Sequence, residues 1–163
     1  PISLNALPGF TITKAVVKNA PDRALPVSWQ IEGAKENDGG RRVQFNPFPG
    51  VERPLWVPAT WPDQRQDGIV MPYCFTWEAH AKVHIPKGWA AAPQQPIQVS
   101  NGFGSVSWSC VKVDGADGPE LDVDYEVSVD AMFGASQEVD KLKALLSAVQ
   151  EGWTRTLTVE HAR

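Results

Sequence analysis

Two cysteines, three histidines and a ladder of acidic residues are the groups in this chain that could do chemistry. A cysteine nucleophile needs a base within hydrogen-bond reach and a setting that stabilises its thiolate, such as a helix N-terminus. Cys110 follows Val106 and Trp108 on one face of an alternating segment, which predicts a buried, inert thiol. Cys74 lies between Tyr73 and Phe75, in strand-forming sequence, and reads as a second small buried residue. Two cysteines are too few for a disulfide framework, and whether they pair is left open by spacing alone.

His80 and His84 share one face of a strand. Four strand residues span about 13 Å, too wide for two ligands of one zinc ion. Both are expected to be solvated. Asp122, Asp124, Glu126 and Asp130 invite a calcium reading, but same-face positions on a straight strand stand about 7 Å apart. A solvated face is the better expectation. No phosphate-cradling glycine loop, serine elbow or HExxH pattern occurs in the sequence. The expectation is therefore a non-enzyme with no catalytic residue, no metal site and no cofactor.

Seven tryptophans are many for 163 residues. Trp29, Trp77 and Trp108 fall on inward-phased positions and read as core. Phe48, Trp56 and Trp61 lie in a segment broken by Pro47, Pro49, Pro54, Pro58 and Pro62, and Trp89 follows a turn. Proline lacks the ladder donor, so residues 47–68 read as a long loop, with at most a short edge strand around Leu55-Trp56-Val57. Its aromatics either fold back on the core or meet a partner. Phe48, Trp56, Trp61 and Trp89 are the candidate interaction surface.

The elements that must position these groups are mostly strands. Pro (14) and Gly (13) are plentiful, and clear period-two alternation runs through 25–32, 77–85, 105–113 and 121–129. Trp29, Val83, Trp108, Tyr125 and Val127 should face inward. His80, His84, Asp122 and Asp124 should face water. Phe10 to Lys18 and Arg42 to Asn46 are further strands, and Ile97 with Val99 marks a short one before the Asn101-Gly102 turn. One helix, 137–150, has apolar residues at helical spacing: Val139, Leu142, Leu145, Leu146 and Val149. Ser136 is its expected N-cap and Gly152 its expected terminator. A last strand follows at 154–160. The fold expected is mainly β: an antiparallel β-sandwich with one C-terminal helix followed by a final strand, in a single domain over 1–163.

Net charge is −4 and the basic residues are dispersed, so no basic footprint for nucleic acid exists. No apolar run approaches the ~20 residues that a membrane-spanning helix needs. The chain begins at Pro1, which suggests a piece of a larger multidomain protein.

Two motifs carry a family resemblance. Ile85-Pro86-Lys87-Gly88-Trp89 ends one alternating segment, and Asn101-Gly102-Phe103-Gly104 opens another. With Arg65, Pro72-Tyr73, Trp108, the helix 137–150 and the strand 154–160, their order resembles the C-terminal non-catalytic β domain, of unknown function, in bacterial transglutaminase-like proteins. The helix start Ala135-Ser136-Gln137-Glu138 departs from the family's Pro-Glu-Glu-Tyr type of start. The core's catalytic Cys, His and Asp have no counterpart here. The resemblance implies an accessory domain that packs on or orients a preceding papain-type, transglutaminase-like domain in the same chain. It also implies an extracytoplasmic setting, periplasmic or at the cell surface. The alternative is a glycan-binding module of the bacterial cell envelope.

Overall fold

The computed structural model describes residues 10–18, 28–35, 39–48, 68–71, 74–115 and 118–161. Trp56, Trp61, Arg65, Pro72, Tyr73 and the expected short strand at Leu55-Trp56-Val57 lie outside them, as does the side chain of Trp29. The described elements are mainly antiparallel strands with one long helix, in a β-sandwich-like arrangement. They group into two compact units.

The first unit holds a hairpin of β1 (Phe10–Lys18) and β2 (Ser28–Lys35). Its register shifts between Ile12 and Lys14. Lys14 Nζ meets Glu32 Oε1 at 2.6 Å, and this partner holds the Glu32 carboxyl below its usual range.

The second unit begins with β3 (Arg42–Phe45), β4 (Ile69–Val70) and β5 (Phe75–His84). Next come β6 (Trp89–Ala91), β7 (Ile97–Asn101), β8 (Gly104–Gly115) and β9 (Gly118–Val129). It closes with β10 (Phe133–Gly134), helix α1 (Val139–Thr154) and β11 (Leu157–His161). The main sheet has four strands in the order β5-β9-β8-β7. A three-stranded sheet runs β3-β11-β6, and β4 pairs with β10 in a small ribbon.

Period two decides which side of the main sheet is core. Leu121, Val123, Tyr125, Val127 and Val129 of β9 face inward with Val106 and Trp108 of β8, and all are buried. α1 packs over β7 and β8 and brings Leu142, Leu145, Leu146 and Val149 to this face. Leu157 and Val159 of β11 are buried as well. Val83 is only half-buried, and so is Trp77. The reason is position: β5 is the edge strand, with a neighbour on one side only, and α1 lies mainly over β7 and β8. Asp122, expected in water, is half-buried.

The helix departs from expectation at both ends. Ser136 does not cap it. A 3-10 turn over Ser136–Glu138 precedes α1, and Glu138 Oε2 accepts the Ala135 N–H at 3.2 Å. Lys141 Nζ donates to Glu138 Oε1 at 3.0 Å, and these contacts hold the Glu138 carboxyl below its usual range. Gly152 does not end α1, which runs on to Thr154. It is glycine because a Cβ there would lie 2.8 Å from Cε2 of Tyr125. That close approach lets the Tyr125 hydroxyl donate to the Val149 carbonyl at 2.7 Å. Burial raises the pKa of this phenol.

Candidate functional site

The outer face of the main sheet holds most of the groups that could do chemistry. Cross-strand register sets His80 opposite Asp124 and His84 opposite Glu120. His80 Nδ1 is 2.7 Å from Asp124 Oδ1, and His84 Nδ1 is 3.8 Å from Glu120 Oε1. Each imidazole therefore meets the neighbouring strand's carboxylate rather than the other imidazole. Both rings stand about half exposed, as solvated histidines should. Ser109 lies beyond Asp124 on β8, two strands from His80 and roughly 9.5 Å away. That separation is too large for His80 to take a proton from its hydroxyl. Among the described residues, no three His, Cys, Asp or Glu side chains converge as metal ligands would.

Both thiols are free. Cys110 is half-buried, and burial pushes its pKa up, away from the reactive thiolate. Cys74 is exposed, contrary to the expectation of burial. It sits one residue before β5, outside the ladder that would have turned it inward.

The expected aromatic surface divides. Phe48 is buried, at 7% exposure, and belongs to the core. Asn46 folds it back: its Oδ1 accepts the Phe48 N–H at 2.7 Å, while its Nδ2 donates to the Trp153 carbonyl at 2.7 Å. The Phe48 ring then lies 6.5 Å from Trp77 and 6.1 Å from Tyr125. Trp153 joins this cluster, 5.5 Å from Trp77. Edge-to-face rings of this kind fill volume and add attraction beyond buried area. Trp89 is half-buried, with its ring 5.6 Å from that of His161.

Among the described residues, the most exposed large apolar side chains lie elsewhere, on the β4–β10 ribbon. Phe133 is 70% exposed and Val70 69%, and the two are direct cross-strand partners. Met132, next to Phe133, is 37% exposed. Ile69 and Met71, one residue either side of Val70, are buried. Alternation across a two-residue strand thus anchors the ribbon by one face and shows Val70 and Phe133 on the other. The Met71 N–H, donating to the Met132 carbonyl at 2.6 Å, holds the two segments together. Sequence reasoning missed this pair, because two residues per strand are too short for a period to be read.

The motifs that carried the family resemblance are turn chemistry. Ile85 is buried at the end of β5, and Gly88 takes φ 84° in the turn into β6. Asn101 Oδ1 accepts the Phe103 N–H at 2.9 Å and its Nδ2 donates to the Lys141 carbonyl at 2.9 Å, tying the β7–β8 turn to α1. Gly104 is required there, since φ is 149° and a Cβ would fall 2.0 Å from the Ser128 carbonyl oxygen. Compared with models of protein families, with curated proteins and with solved structures, the chain has no match.

Proposed function

We propose that this chain is a non-catalytic interaction domain that docks on and orients a transglutaminase-like, papain-type catalytic domain. The carrying observation is the exposed apolar pair Val70–Phe133, flanked by Met132 and anchored by buried Ile69 and Met71. Large apolar side chains clustered in water on an anchored ribbon favour a protein contact. A phenylalanine ring is also a common anchor at the centre of such contacts. The kind of partner comes from the resemblance in residues 85–89 and 101–104.

The test is calorimetric titration of the chain into a separately expressed transglutaminase-like core, beside a glycan-binding screen of the chain alone. Saturable heat with the core and no glycan signal support the reading. Envelope-glycan binding that is lost in Trp89→Ala, with no heat from the core, sinks it in favour of a glycan-binding module.

A further inference from the structure

Among the described residues of the second unit, β5 is the longest strand at the edge of a sheet, and no described strand pairs its other side. The Ile85 N–H donates to the Pro119 carbonyl at 2.9 Å, in register with the β5–β9 ladder. In an antiparallel ladder, alternate residues turn both backbone groups to the same neighbour. The odd-numbered residues of β5 therefore bond β9. Thr76, Glu78, His80, Lys82 and His84 turn N–H and C=O away from it. Neither a proline nor a register break interrupts the strand, although such features commonly blunt an edge.

We propose that this edge pairs antiparallel with β5 of a second copy of this chain, about a two-fold axis beside His80. Charge and length select the register. With His80 opposite its own copy, Glu78 lies opposite the partner's Lys82, and Lys82 opposite the partner's Glu78. All five outward residues then find a place in the ladder, which carries about ten backbone hydrogen bonds. A slip of two residues either way sets Lys82 against Thr76 or His80 and shortens the ladder.

The chain's own pairing favours the same arrangement. Glu78 faces Glu126 across β5–β9, a like-charge pair that costs stability. The partner's Lys82 offsets that repulsion. On the inner face the centre of the joint pairs Ala79 with Ala81, so only small side chains meet beside the axis. Trp77 and Val83, half-buried in the single chain, gain cover from each other across it. Both β5 edges are consumed, so the assembly closes at two.

Sedimentation equilibrium of the full chain from about 1 μM to about 1 mM tests this. The wild type is expected to dimerise reversibly. Glu78→Lys should weaken association about tenfold or more, because both cross-strand pairs become repulsive. At concentrations where both proteins are monomeric, its unfolding midpoint should hold or rise, since the new lysine faces Glu126. The double variant Glu78→Lys/Lys82→Glu should regain the dimer. The proposal is overturned by a wild type that stays monomeric throughout, by assemblies larger than two, or by Glu78→Lys dimerising as tightly as wild type. A double variant that stays as weak as the single one overturns it too.

Discussion

On the inner face of β9, Val123, Tyr125, Val127 and Val129 are each at most 1% exposed. One residue away on the same strand, Asp124 and Glu126 stand in water. The two faces share backbone, strand order and register, and differ only in which residue parity each receives. The inner face is covered by α1 and holds the Tyr125–Val149 hydrogen bond. The outer face carries His80–Asp124 and His84–Glu120, pairs in solvent that contribute little to folding. Stability is therefore concentrated on one side of the sheet. The other side, its β5 edge and the exposed Val70 and Phe133 of the β4–β10 ribbon can change with small effect on the fold.

The contrast breaks most visibly at Tyr125. Tyr125→Ala is expected to lose about 3–5 kcal/mol in a denaturant melt, the usual cost of removing a buried aromatic ring. A loss below about 1 kcal/mol would mean that the ring is not a core element. Gly152→Ala gains about 1 kcal/mol of helix propensity. It also drives a methyl group into the Tyr125 ring, so a net loss of roughly 1–2 kcal/mol is expected. A variant as stable as wild type would show that α1 and β9 can move apart cheaply.

The same ring gives the inner face a pH signature. Burial raises its pKa above the usual phenol range, so the folded state keeps the phenol proton where the unfolded chain has lost it. That stability is fully present below about pH 10 and falls as pH climbs through the folded value. Tyr125→Phe should lack this alkaline loss, which melts at pH 8 to 11 would reveal. On the outer face, His80→Ala should change stability by no more than about 0.5 kcal/mol, since the pair it breaks is exposed. A cost above about 2 kcal/mol would undo the contrast between the faces.

How far the sequence could be read follows the length of each element. β9 shows a period over many residues, and its inward set from Leu121 to Val129 is buried as the alternation predicts. α1 is equally legible in Leu142, Leu145, Leu146 and Val149. Local chemistry was less legible where tertiary packing decides. Gly152 has the composition of a helix stop, but the Tyr125 ring is what requires it. Phe48 sits in proline-rich sequence, and its burial depends on Asn46 reaching Trp153, 107 residues away. Val83 has the right parity for the core, yet strand order puts it at the edge, and strand order is not written in alternation. The ribbon left no trace at all, because Val70 and Phe133 meet across strands of two residues each.

Whether the proposed docking and folding use different surfaces is tested most directly at Phe133. Phe133→Asp is to be measured beside the wild type, by denaturant melt and by titration into the transglutaminase-like core proposed as its partner. The expected result is a folding change within about 0.5 kcal/mol, as for exposed positions, and docking weakened by about tenfold or more. Docking as tight as wild type, or a fold that collapses with the substitution, would contradict the account.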